Sequence, residues 1–572
     1  MILYSDEVGF APLQHDTRKT QAVYWSFAEF GVSMLSCEKV WFIMAGIRSD
    51  LIVDLEDGMS HLFKKLLHFF FDDNGHHFTR AGCSLQLPRD AYSPEVMMTV
   101  IIFAKLSIIV SDEKALKDTF HCKGASGAKP CMECTNATAI GSELSDHSEF
   151  AVAVNHLELA DFKPATDASV LHSVRRVHKA HDDHAAGIIS KAKYEMYQRI
   201  HGYSYARHNM LLDASLAIGA ISVLMFDWMH VYLVSGMFNV EVFQLWTFLQ
   251  PFGESWLKLH TFFQQWTWPR TVKGCKNMFD PKNITEDKNT DHFKTSASGS
   301  LGAYAVIALY LQRFVVRTGH AAAQVASFLL LCDVLDLCQS LKNCTVTADL
   351  LSHVIMKHLR AYAAAYGALG FRFKHHMAMH LAGQLRRFGF LLSCFVQERR
   401  HKAIKRYVND RKNTLSFESG LMEEVTIQHL YDLRKDPGHA EMEEPRTPTA
   451  DQARDLQALW PRAPAADILC ARVAMTAGAN YAAGDVALFS YHGRACVGQI
   501  WYHSGVGCSE CYTTLALWER RVGAADTPYA HTYLVRDARV TVRTSALTAS
   551  LIYLRSKDGT AATVLIPAMH RS

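Results

Sequence analysis

Apolar and polar positions alternate along the first third of the chain in a way that predicts three strands and then a helix. Residues 2–4 are apolar and run into Asp6, and strand-like runs follow at 21–30 and 40–47 with Gly31 between them. Residues 54–71 carry Leu55, Met59, Leu62, Leu66 and Phe69 or Phe70 at helical spacing, which predicts an amphipathic helix. The β-branched second half of residues 96–110 suggests a buried strand ending at Ser111 and Asp112, with a helix over 113–120. From 137 to 370 the pattern is mostly helical. An apolar run at 211–226 leads into Phe226-Asp227-Trp228-Met229-His230, and long helices are predicted at 240–263, 301–316, 321–341 and 348–366 around a polar loop at 273–300. Pro437, Pro445, Pro448, Pro461 and Pro464 mark residues 436–466 as a linker. Beyond it, short alternating runs at 467–473, 485–490, 495–501, 513–518, 531–534, 540–542 and 562–566 predict a small all-β barrel or sandwich.

Composition changes this picture little. A chain of 572 residues with 49% hydrophobic and 20% charged residues is globular and long enough for several domains. The net charge of +3 argues for no partner by itself, but its distribution does. Residues 371–412 hold eleven Lys or Arg against two acids, Glu398 and Asp410, the footprint of a phosphate-binding surface. The 14 cysteines fall mostly singly in apolar runs, as in a reducing compartment. The early acid at Asp6 argues against a secretory leader, and Asp333 and Asp336 make 321–338 a buried helix and not a membrane span.

Two sets of residues carry candidate chemistry. Cys131 and Cys134 have zinc-ligand spacing in a loop shaped by Gly124, Gly127 and Pro130, and His376 and His380 share one helix face. Together they complete a Cys₂His₂ tetrahedron. His375 lies about 140° round the helix from His380 and is the poorer alternative ligand. Cys508 and Cys511 have no histidine pair nearby and are expected to be structural. The second set is acidic. Asp6 and Asp112 sit at strand ends, where open sheets place their chemistry, although an isolated aspartate there is more often a helix cap. Glu398 follows on a helix and is succeeded by Arg399, Arg400, His401, Lys402, Lys405 and Arg406, so a carboxylate that can hold a divalent ion stands beside cations that can hold a nucleic-acid backbone. Trp228, Phe388 and Phe390 could stack on bases, with core packing favoured for the two phenylalanines.

Asp6, Asp112, the Cys131 and Cys134 pair, Asp227-x-x-His230, His376 with His380, and then Glu398 occur in an order that resembles cut-and-paste DDE transposases, most closely the CACTA-type and the Transib and V(D)J recombinase lineages. The resemblance covers residues 1–435. It implies an α/β RNase H-like core with a mixed sheet, interrupted by a large all-α insertion. The expected parts are the first part of the core at 1–135, the helical insertion at 136–370, the zinc-histidine and Glu398 helices at 371–435, the linker at 436–466 and the β domain at 467–572. It implies Asp6, Asp112 and Glu398 as a triad holding Mg²⁺ or Mn²⁺. Structural Zn²⁺ would lie on Cys131, Cys134, His380 and one of His376 or His375, and Asp227 with His230 would form an auxiliary pair. DNA is the expected partner, met by Arg399, Arg400, Lys402, Lys405 and Arg406, with a nuclear location. A homodimer is compatible with this. Residues 484–503 resemble chromatin-reader barrels of the bromo-adjacent-homology or SH3-like type, which points to a chromatin contact through the C-terminal domain. The family usually carries an amino-terminal domain that recognises element ends, whereas this sequence starts a few residues before Asp6, so the expectation is either a truncated chain or a remnant that has lost specific binding. The rival reading is a non-catalytic DNA- or chromatin-binding descendant. A zinc hydrolase is disfavoured because four protein ligands close the site.

Overall fold

A computed structural model describes residues 1–9, 19–72, 77–88, 97–146, 150–286, 292–410, 416–434, 440–476, 479–506, 510–523 and 526–568. The chain divides into two compact units, Met1–Val231 with Thr347–Leu430, and Tyr232–Val346 with Tyr431–Ser572.

The first unit is built on a mixed five-stranded sheet. β1 (Ile2–Val8) pairs antiparallel with β2 (Thr20–Ser26), which pairs antiparallel with β3 (Phe42–Arg48). On its other side β1 runs parallel to the later strand Ile108–Ser111, and that strand runs parallel to Leu224–Phe226. Ile2, Leu3, Tyr4, Ile109, Val110, Leu224 and Met225 are all fully buried. This is why these strands read as continuous apolar runs: parallel strands are covered on both faces and need no polar side. The helix Phe395–Asp410 packs against β1, and Gly58–Phe71 packs against Glu113–Phe120.

The buried strand expected in the second half of 96–110 is present, and the first half forms a strand of its own. β4 (Cys83–Pro88) and β5 (Met97–Ile102) form a separate antiparallel ribbon, and only β6 (Ile108–Ser111) enters the main sheet; residue 96 lies outside the described residues. Exposed Lys105 interrupts the apolar run, and a 15-residue strand would span about 50 Å, several times the usual length. The stretch 136–370 is not all-helical either, because Leu224–Phe226 supplies the fifth strand. The helix expected over 240–263 is broken into Met237–Leu249 and Trp256–Gln265 at Pro251 and Gly253, whose φ of 83° no ordinary helix contains.

The second unit contains a large helical region and an antiparallel sheet that curls into a half-barrel. Ala297–Thr318 and Ala322–Asn343 are long and apolar enough to cross a membrane, but 67% and 50% of their most apolar windows are buried inside the protein. Tyr304 on the first donates to Asp336 on the second at 2.5 Å, which satisfies an acid that an apolar helix would otherwise leave stranded. In the sheet, Val486, Leu488, Val497, Trp518 and Val564 fill one face while Ala487, Phe489, Ile500, Leu515 and Leu547 fill the other, the two-residue period expected of strands. Cys511 is buried and accepts from the Thr544 hydroxyl at 3.2 Å; its sequence neighbour Cys508 lies outside the described residues.

The proline-marked segment 436–466 is not a linker, although residues 436–439 are outside the described part. Glu441–Glu443 pairs with Val473–Met475, and Thr449 caps the helix Ala450–Leu459. That helix buries Leu456 against Ile468, Cys470 and Tyr502. The described prolines, Pro445, Pro448, Pro461 and Pro464, lie in the irregular stretches that flank these elements. Leu456→Ala is therefore expected to destabilise the protein by about 2–5 kcal/mol, as loss of a core leucine does, whereas the same change in a solvated linker would stay within about 0.5 kcal/mol. Denaturant titration of the two proteins measures the difference.

Candidate metal and carboxylate sites

The loop before residue 137 and the helix Phe373–Phe388 meet to form a Cys₂His₂ group. His121, in the left-handed region at φ 55°, ends the preceding helix and turns the chain into the loop. Cys131 Sγ lies 3.4 Å from His380 Nε2, and Cys134 Sγ lies 3.4 Å from His380 Nε2 and 3.6 Å from His376 Nε2. The two histidine nitrogens are 3.1 Å apart. Zinc bonds of 2.0–2.3 Å in a tetrahedron put ligand atoms roughly 3.3–3.8 Å from one another, so the donor set and its spacing fit that ion. Burial, and then Cys134 alongside, push the Cys131 thiol well up, a condition that a dication would reverse. His375 does not join the group. Its Nδ1 accepts from the Arg372 backbone N–H at 3.0 Å, and its ring packs against both Tyr362 and Phe371. A clamp surrounds the group: Glu133 takes Arg387 at 3.0 and 2.8 Å and Gln384 at 3.0 Å, and Gln384 in turn accepts from the Phe226 N–H at 2.8 Å.

That last bond ties the histidine helix to the residue before Asp227. Asp227 is fully buried and accepts from the backbone N–H groups of Met229 at 2.9 Å, His230 at 3.3 Å and Cys394 at 3.2 Å, while also bonding His230 Nδ1. Burial alone would depress His230, but the bond to Asp227, its charge and those of Asp112 and Asp6 raise the imidazole to about 9. It is therefore a cation at neutral pH. Asp227 is thus both the helix cap that its sequence context suggests and the anchor of a charged histidine. Lys374 donates to the His230 carbonyl at 3.0 Å.

The acids lie on the other side of His230. The register Ile2↔Ile108, Leu3↔Ile109, Tyr4↔Val110, carried on, sets Asp6 beside Asp112. Asp6 accepts from Tyr4 Oη at 2.8 Å and from the Glu7 N–H at 2.7 Å. Asp112 caps Glu113–Phe120 through the Ala115 N–H at 2.6 Å, which engages one of its two oxygens. Glu398 comes from the helix packed on β1. Ligand atoms of Asp6, Glu398 and His401 fall within 4.8 Å of one another; Asp112 adds its charge from the neighbouring strand end without joining that tight group. Burial first, then the charges of Asp112 and Glu398, raise Asp6 to about 7. Burial also raises Glu398, against the pull of His230 and Lys405. Such crowding of oxygen donors suits a divalent cation.

His401 and Cys394 belong to this region and were not singled out by the sequence. His401, three residues after Glu398, is on the same helix face, a spacing that could have pointed to it. Burial, Lys405 and His230 push its imidazole down to about 3, so it is neutral. Cys394 is buried with its thiol pushed well up by burial and by Asp227.

The basic run divides. Arg399 Nε bonds Glu38 at 2.8 Å and its Nη2 reaches the Ser36 carbonyl at 3.1 Å, while Arg400 Nη1 bonds the Glu38 carbonyl at 3.0 Å and lies over Tyr24. Both arginines are half-buried and dock the helix onto the turn before β3, so they do not form the free basic surface expected of them. Lys402, Lys405 and Arg406 are exposed; residues 411 and 412 lie outside the described part. Trp228 is buried against Phe395 and offers no face to a base.

Comparison with protein-family models finds no matching family, and comparison with curated proteins finds no matching relative.

Two outcomes follow from this geometry. Cys134→Ser is expected to reduce bound zinc to near zero and lower the thermal transition, given apparent zinc-binding energies of about 10–16 kcal/mol in small zinc domains, while His375→Gln leaves zinc content unchanged. Elemental analysis beside circular dichroism reads both. The second outcome concerns Asp6. Its folded value of about 7 exceeds its ordinary 3.8, so the folded state binds the extra proton and loses stability as pH rises through that window, with the loss complete above about 7. Asp6→Asn should change little in acid and stabilise the metal-free protein above neutrality by roughly 2–4 kcal/mol, at about 1.4 kcal/mol per pH unit between the two values. Melting curves across pH measure it; a constant difference at all pH values would show that Asp6 is not strained by charge.

Proposed function

We propose that this chain is a transposase-derived, DDE-type DNA nuclease and strand-transfer enzyme with an RNase H-like core. The observation that carries the reading is the convergence of Asp6 and Glu398, with Asp112 just past the end of the neighbouring strand; burial first, and then the charges of Asp112 and Glu398, raise Asp6 to about 7. Like-charge crowding at one end of a sheet costs stability and is a mark of a site that holds a cation. The sheet order, the strand-end acids and the glutamate helix packed on β1 support the fold assignment.

In this reading Asp6, Asp112 and Glu398 hold Mg²⁺ or Mn²⁺. The ions would supply charge neutralisation on the attacking and leaving oxygens of an in-line phosphodiester displacement. The residues themselves do the remaining work. Tyr4 and the Glu7 N–H fix the Asp6 carboxylate, and His230, held as a cation by Asp227, offsets the acids without leaving its buried position. Lys402, Lys405 and Arg406 lie on the exposed face of the Glu398 helix, where a DNA backbone would run. The Cys131, Cys134, His376 and His380 group acts as a structural Zn²⁺ site, closed by four protein ligands. The location is nuclear, with a homodimer and a chromatin contact through the β domain compatible with it.

Asp112 favours weighing a second reading, a non-catalytic DNA- or chromatin-binding descendant, because one of its oxygens is engaged as a helix cap. Nicking of supercoiled plasmid separates the two. The enzyme reading expects Mg²⁺- or Mn²⁺-dependent nicking that Glu398→Gln reduces to the metal-free level, with zinc content and circular dichroism unchanged. DNA binding without nicking in any divalent ion would establish the descendant instead.

A further inference from the structure

We propose that His401 is a ligand of the cation held by Asp6 and Glu398, and that its nitrogen biases this site away from Mg²⁺ toward Mn²⁺ and the later first-row divalent metals. The inference rests on the reading of the acids as a metal site and extends it to a residue that the DDE pattern does not include.

The geometry is specific. A ring nitrogen of His401 and a carboxylate oxygen of each acid lie within 4.8 Å of one another. His401 Nδ1 is 3.9 Å from Glu398 Oε2, too long for a hydrogen bond and wide enough to admit an ion. The side chain is 2% exposed, and its Nε2 has no hydrogen-bond partner among the described residues. The imidazole packs against both Tyr4 and Tyr24, with ring centroids 6.2 and 5.8 Å away and planes inclined by 29° and 27°; the two tyrosine centroids are 6.3 Å apart, so the three rings form a triangle. Tyr4 also donates to Asp6 Oδ2 at 2.8 Å, so one tyrosine orients two of the three donors. Such supporting contacts are characteristic of metal ligands.

The donor set decides the ion. Mg²⁺ prefers oxygen and water throughout; Mn²⁺ shares its liking for carboxylates but accepts an imidazole nitrogen more readily, and the later divalent metals favour one. Two carboxylates and one imidazole therefore discriminate by chemistry and not by size.

The test uses full-length, zinc-loaded protein with Mn²⁺ as the probe. Pulsed electron paramagnetic resonance of bound Mn²⁺ should show ¹⁴N hyperfine coupling. His401→Phe keeps a ring packed against the two tyrosines, and it should abolish that coupling and weaken Mn²⁺ binding about tenfold or more while changing Mg²⁺ binding less than about twofold. Mn²⁺ bound with no nitrogen coupling in the unaltered protein overturns the proposal, whether or not the variant folds, and leaves the acid site standing. Coupling that persists in His401→Phe also overturns it. If neither Mn²⁺ nor Mg²⁺ binds to the unaltered protein, the acid-site reading fails as well.

Discussion

Three carboxylates gathered around one end of a sheet repel one another, and much of the first unit is arranged so that they nevertheless stay together. The parallel pairing of β1 with β6 places Asp6 and Asp112 side by side, and fully buried Ile2, Leu3, Tyr4, Ile109 and Val110 leave those strands no freedom to splay. Glu398 is brought in on a helix that Arg399 and Arg400 dock onto the turn at Glu38. The arginines thus act on the acids indirectly. They fix the helix that bears Glu398, and their charges are spent on the turn and not on the carboxylate.

Neutralisation comes from a different part of the chain. Asp227 collects three backbone N–H groups and the His230 ring, and this keeps His230 charged in a place where burial would otherwise strip its proton. The same Asp227 receives the Cys394 N–H, four residues before Glu398, so one buried carboxylate links the strand Leu224–Phe226 to the start of the glutamate helix. The Cys₂His₂ group fastens the remaining side. It joins residues near 131 to residues near 380, and through Gln384 it reaches the Phe226 N–H. Closing so long a loop is entropically costly, and the four thiol and imidazole ligands, were they to share one ion, would supply a tie that a few hydrogen bonds would not.

Much of this was legible in the sequence where residue type and spacing determine geometry. Cys131 and Cys134 on a short loop, and His376 and His380 on one helix face, leave few other arrangements, and His375 was separable from them by angle alone. Short, fully buried strands were harder. Leu224–Phe226 is three residues inside a longer apolar run, and nothing local distinguishes it from helix. The run over 96–110 was legible in its β-branched second half, which supplies Ile108–Ser111, but its apolar first half gave no sign of the ribbon it forms, whose Met97, Met98 and Ile101 are exposed. Prolines between 436 and 466 hid a capped helix, since a linker and a chain of tight turns share one composition. The basic run could not be divided without its partner: only the position of Glu38 tells Arg399 and Arg400 from Lys402, Lys405 and Arg406.

That division bears on how the acid site could meet a polyanion. Had all five cations faced solvent, the nearest of them would lie beside Glu398 and would lower its proton affinity by direct pairing; instead Glu398 keeps a raised value, opposed mainly by His230 and Lys405. The free cations begin one helical turn farther on, at Lys402 and Lys405. A phosphate backbone drawn to that turn is held next to the acids without having its counter-charges neutralised by them. The buried cation, His230, faces the carboxylates, and the exposed cations face outward. With that separation one short helix can present an anionic pocket for metal and a cationic surface for DNA, although alternating charges along a freely exposed helix would pair with one another.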